Sequence, residues 1–134
     1  MPVARLLQTQ SAIAVFDADC PASIVVGDWV YSSGDIVAGV YQVAKADIAD
    51  FDKLPAIGVV IEKPTTTTCV VKWEGYVDVF AGLSAHRVYY LQQDGTINVT
   101  PPPGGAGYHV QRVGVALDAN VLLVTPNLHL TRRP

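Results

Sequence analysis

Short runs of β-branched and aromatic residues, broken every few positions by Gly, Pro, Asp or Asn, fill this chain from residue 23 to residue 126. The runs fall at 23–26, 29–31, 36–43, 56–61, 67–73, 76–80, 88–91, 97–100, 110–117 and 120–125. Residues of this kind suit a pleated, half-buried surface, and the breaks come too often for helices. The pattern predicts an all-β chain: a single small antiparallel β-barrel or β-sandwich with at most one short helix. That helix is expected at 44–51, which is Ala-rich and places Ile48 and Phe51 three apart. A helix of about two turns is marginal alone, so packing must hold it.

The two halves share an order of events. In the first, Gly27-Asp28-Trp29-Val30-Tyr31 leads through a turn at Gly34 to Ile36; Gly58-Val59-Val60 and Thr68-Cys69-Val70-Val71 follow. In the second, Gly82 leads to Val88-Tyr89-Tyr90 and through Asp94-Gly95 to Ile97; Gly114-Val115-Ala116 and Val121-Leu122-Leu123-Val124 follow. This suggests two copies of a strand–turn–strand–loop–strand–strand unit, each unable to bury its own face, closing into one barrel or sandwich. Chance recurrence in a small β protein is the competing reading. The chain divides into an N-terminal arm (1–22), a β domain (23–126) and a C-terminal tail (127–134). The arm carries Val3, Leu6, Leu7, Ile13 and Val15 without a turn or cap signal. The Pro-Gly tract 101–107 is a loop rather than a linker, because strand signals flank it on both sides.

With 134 residues and 14.3 kDa, this is one domain, long enough to bury roughly two-thirds of its unfolded surface. Half the residues are hydrophobic and 16% are charged, against a norm of about 25%, which excludes a disordered chain. A net charge of −3 argues against a nucleic-acid binder, and no apolar run approaches the length of a membrane span. Few charges also suit a surface covered by other subunits. Residues 1–7 lack the apolar run of a secretory signal. Cys20 and Cys69 have no CxxC spacing and are expected as buried free thiols, made in a reducing cytoplasm.

No catalytic, cofactor or metal site is expected. His86, His109 and His129 lack the spacing of a zinc site. Ser84 and His86 stand two apart, sharing a face if on a strand, but no third partner is marked. Most aspartates, including Asp28, Asp47, Asp50, Asp94 and Asp118, sit in turn-like contexts; Asp78 should point to solvent. Gly104-Gly105-Ala106-Gly107 lacks the Lys-Ser/Thr ending of a phosphate loop. Trp29, Trp73, Tyr89 and Tyr90 would line the pocket of a small-ligand barrel or an enzyme, or else serve core and subunit packing. Arg132 and Arg133 form a small basic end suited to an acidic protein surface.

Taken together, Gly27-Asp28-Trp29-Val30-Tyr31, Pro55-Ala56-Ile57-Gly58-Val59-Val60, Val88-Tyr89-Tyr90-Leu91, Asp94-Gly95-Thr96-Ile97 and Gln111 through Leu117 resemble the small β-rich structural proteins of tailed bacteriophages. Head decoration and head-fibre proteins are the nearest in pattern, over roughly residues 23–126. The resemblance implies a virion protein without an active site: a homotrimer assembled in the host cytoplasm, bound to the major capsid protein on the outer shell, and stiffening it. A tail, fibre or baseplate module shares the same β architecture and stays open as an alternative.

Overall fold

The computed structural model describes residues 14–104 and 107–132. Its first unit comprises β1 (Val15–Asp19), β2 (Trp29–Val37), β3 (Val40–Lys45), β4 (Gly58–Thr65) and β5 (Thr68–Lys72). These pair in the order β1-β3-β2-β4-β5, and β1 also pairs with β5, so the ladder closes into a small barrel. Every pairing is antiparallel except β1–β3, which rests on two parallel pairs, Ala18 with Tyr41 and Asp19 with Gln42. The remaining strands are β6 (Gly75–Val77), β7 (Val88–Leu91), β8 (Ile97–Asn98), β9 (His109–Val110), β10 (Arg112–Ala116), β11 (Leu122–Val124) and β12 (Thr131–Arg132). Five of them form an open sheet, β6-β11-β10-β7-β8, while β9 and β12 pair with each other.

The two sheets are copies of one plan. Writing β6, β7, β8, β10 and β11 for β1 to β5 reproduces the strand order of the first unit. The agreement reaches single residues. Ala14 and Gly75, just before and at the start of β1 and β6, both have positive φ (60° and 100°). Gly27 and His86 share a positive φ (96° and 66°), and each donates its N–H to the corresponding strand, Gly27 to Val60 O and His86 to Ala116 O. Both hairpins turn on two successive left-handed residues, Ala38-Gly39 and Asp94-Gly95. That geometry suits the right-handed twist of the flanking strands. Gly58 and Gly114 are matched by crowding: a Cβ on either would stand 2.5 Å from a backbone oxygen, of Lys72 and Leu123 respectively.

The units differ in how each buries its face. Val30, Val43, Val60, Cys69 and Val71 fill the inside of the barrel with Ala18, Cys20 and Ile24. Alternation then sends Trp29 and Val59 to the outside. They join Ala46, Ile48 and Ala56 in a second core with Val77, Tyr89, Leu91, Ala116, Leu122 and Val124 of the open sheet. The open sheet's apolar face thus covers the barrel's outer face instead of closing on itself. The connection from β3 to β4 runs between the units and is stitched to the second one. Gly95 N–H donates to Ala46 O (2.8 Å) and His109 N–H to Ile48 O (3.1 Å). The fully buried Gln111 amide accepts from Ala56 N–H and donates to Ala56 O, both at 2.8 Å.

The all-β expectation and the paired units hold; several local expectations do not. The first unit does bury its own face, by closing. No α-helix forms at 44–51: Ala44 and Lys45 end β3, and the only helical turn nearby is the 3-10 turn Phe51–Lys53. Asp47 and Asp50 accept hydrogen bonds from the N–H groups of Ala49 and Asp52, local bonds that compete with a helix. The turn expected at Gly34 lies instead at Ala38-Gly39, because register shifts on both sides of Gly34 absorb it within β2. Residues 23–26 form turns rather than a strand, with Ile24 N–H bonded to Pro21 O. β1 lies within the stretch 1–22 read as an arm, and its pairing on both edges makes it part of the barrel; residues 1–13 lie outside the described residues. In the stretch read as a tail, β12 pairs with β9. The tract 101–107 contains no strand among its described residues.

Two outcomes follow in denaturant unfolding. Gly58→Ala and Gly114→Ala each destabilise the chain by roughly 1–3 kcal/mol, the cost of overpacking against immovable backbone, whereas Gly34→Ala, whose Cβ meets nothing nearer than 3.9 Å, stays within about 0.5 kcal/mol. Gln111→Ala leaves the Ala56 N–H and C=O buried without these partners and costs about 2–4 kcal/mol.

Candidate functional site

The residues with chemical potential do not converge. Ser84 and His86 lie in the loop before β7, both exposed, rather than on a strand. Ser84 N–H donates to the Tyr89 hydroxyl at 2.8 Å, so the loop is tied down by its backbone. His109 packs at a tilt against Phe51 with ring centroids 5.1 Å apart, and His129 is exposed. Asp28 accepts from Val25 N–H at 2.9 Å and has Lys45 Nζ at 3.8 Å. Asp118 accepts from the N–H groups of Asn120 and Val121, as a turn aspartate does. Asp78 is exposed. Among the described residues no group of three or more His, Cys, Asp or Glu is placed to hold a metal ion.

The four aromatics are divided between places. Trp29 and Tyr89 share the core between the units, and Tyr90 is half-buried in β7. Trp73 is 45% exposed and lines a surface groove of about 470 Å³ with Phe16, Tyr41, Ile57, Pro126 and Leu128. Phe16 and Tyr41 meet edge to face there, centroids 4.8 Å apart. Every lining side chain is apolar or aromatic, so the groove offers contact area rather than acid–base chemistry.

A second apolar surface is the β2–β3 ribbon. Residues 32–39 are all exposed, so the ribbon stands clear of the barrel, with Ile36 and Val37 each 59% exposed beside its turn. In the second unit the matching hairpin is cut short: Asp94-Gly95 follows closely on Leu91, and Gly95 is buried against Trp29 and Ala46. Sequence reading missed this extension because it put the turn at Gly34. The adjacent left-handed pair Ala38-Gly39 was hidden, since alanine carries no turn signal.

The two cysteines are buried free thiols, as their apolar setting predicts. The fold adds that they are neighbours, both in the cluster inside the barrel. Burial first, then the neighbouring Cys20, push the Cys69 thiol from its ordinary 9.0 up to about 12, with Lys63 opposing. Burial also holds Lys72 below the usual lysine range.

Compared with known proteins, the chain matches no family model, no curated protein and no solved structure.

The raised Cys69 value has a pH consequence. The folded chain keeps the Cys69 proton where the unfolded chain loses it, so stability is fully present below pH 9.0 and falls as pH rises toward about 12. Denaturant titrations across that window are expected to show a shallower alkaline loss for Cys69→Ala than for the unsubstituted chain.

Proposed function

We propose that this chain is a self-associating structural subunit of a phage particle, decorating the outer face of the head. The observation that carries the reading is the exposed ribbon, which presents Ile36 and Val37 to solvent on a chain with few charges. Isolated apolar side chains on a surface are ordinary, but a ribbon projecting a paired apolar tip spends structure on holding contact area away from the body. The groove around Tyr41 and Trp73 adds a second apolar surface. Low charge and apolar contact area are what a subunit–subunit or subunit–shell interface uses. The resemblance in pattern to head decoration proteins supplies the particle, the expected trimer and the major capsid protein as partner. Arg132 belongs to β12 by its backbone; its side chain and Arg133 lie outside the described residues.

The test combines light scattering of the purified chain with its copy number on isolated heads. The reading expects a discrete homo-oligomer and hundreds of copies on each head. Co-purification with tails at a few to tens of copies moves the protein to a tail, fibre or baseplate role, and a monomer that binds no particle removes the proposal. Ile36→Asp with Val37→Asp is expected to lower head occupancy about tenfold or more while leaving the unfolding midpoint nearly unchanged, because both side chains already face water.

A further inference from the structure

Cys20 follows directly on the last residue of β1, and its N–H donates to Thr67 O at 2.9 Å. Ala18 stands opposite Cys69 in the β1–β5 ladder. Cys20, two residues on from Ala18, therefore falls on the same face as Cys69 and diagonal to it. Both side chains belong to the cluster inside the barrel. Their access to solvent differs. Cys20 lines an open depression of about 420 Å³ with Asp19, Ser33, Gln42 and Thr67, whereas Cys69 is 1% exposed and does not line it.

We propose that Cys20 and Cys69 form a redox modification site, closing to an intramolecular disulfide when a small disulfide such as oxidised glutathione enters the depression. The Cys20 thiolate attacks one glutathione sulfur, forming the mixed disulfide and expelling one glutathione thiolate. The Cys69 thiolate then attacks the Cys20 sulfur and expels the second. Two protein thiols are oxidised, one glutathione disulfide is reduced, and both protons leave on the two glutathione thiols. Diagonal neighbours sit about 7–8 Å apart at Cα, beyond the usual disulfide span of up to about 6.8 Å, so the backbone at Cys20 must draw inward by about 1 Å. It has room to do so, because β1 has ended and residues 21–23 are exposed.

The bridge acts on a strand with one thin seam: β1–β3, like β2–β4, rests on two residue pairs. β1 closes the ladder through only two parallel pairs with β3, and a bond from its end to β5 fixes it there. The buried, neutral Cys69 thiol makes the second step the slow one, so closure quickens as pH rises. The inference stands on the thiol geometry and is independent of the particle reading.

The test treats the purified full chain, at about pH 8, with oxidised glutathione, and reads intact mass, denatured thiol count and unfolding midpoint. The expected product is monomer-linked, lighter by two hydrogen atoms, with no free thiol. Its midpoint rises by about 10 °C and returns on reduction. Cys69→Ser is expected to stop at a stable glutathione adduct on Cys20, and Cys20→Ser to give no adduct while folded. The proposal is overturned if the glutathione adduct of the unsubstituted chain never resolves to the internal disulfide, if interchain disulfides form, or if both thiols stay free. It fails equally if Cys20→Ser is modified as fast as Cys69→Ser.

Discussion

Strands β2 and β4 carry apolar residues on both faces, and the rest of the structure depends on this. Val30 and Val60 point into the barrel while their neighbours Trp29 and Val59 point out of it. A strand with one wet face would have left the barrel finished and the second sheet without a support. Here the barrel's outer face needs a cover, and the open sheet's apolar face needs a floor. Each solves the other's problem. Fully burying a side chain such as valine contributes about 1.5–3 kcal/mol, and the second core places twelve buried residues at this junction. That shared burial explains why one copy of the unit closes and the other does not: the inside of the second is occupied by the outside of the first.

Polar groups at the junction are handled with equal economy. The connection between β3 and β4 passes between two apolar faces, where an unpaired peptide group would be costly. Its carbonyl and amide groups find partners in the second unit, at Gly95, at His109 and at the side chain of Gln111. Gln111 replaces a strand neighbour for Ala56, offering one acceptor and one donor from a single amide. The break between β9 and β10 falls at this residue. The glycines Gly58 and Gly114 serve the same end within each sheet, letting the backbone of the adjacent strand approach where any side chain would collide.

The surfaces left over give the molecule its character. Titratable groups are dispersed among turns and strands, and the described surface gathers apolar side chains instead, at the ribbon tip and in the groove around Trp73. The ribbon is the main departure of the first unit from the second. Where the second hairpin is tucked against Trp29, the first has been lengthened into solvent. A duplicated unit that keeps its core and varies its hairpin separates folding from contact, so either can change without the other.

Residue chemistry alone determined the all-β class, the recurrence of two units and the buried state of both thiols. These follow from local rules: β-branched runs, the order of glycines, and the apolar neighbours of Cys69. The hairpin turn at Asp94-Gly95 was legible too, because that pair is a strong turn signal. The tertiary structure alone decided the turn at Ala38-Gly39, the absence of a helix at 44–51, the place of β1 inside the barrel and the nearness of Cys20 to Cys69. Each of these rests on a partner distant in sequence. Residues 44–51 have enough alanine for a helix, but Trp29, Gly95 and His109 take their backbone groups first. A sequence shows what each segment prefers in isolation, and long-range pairing chooses among those preferences because it satisfies more buried polar groups and covers more apolar surface than any local arrangement.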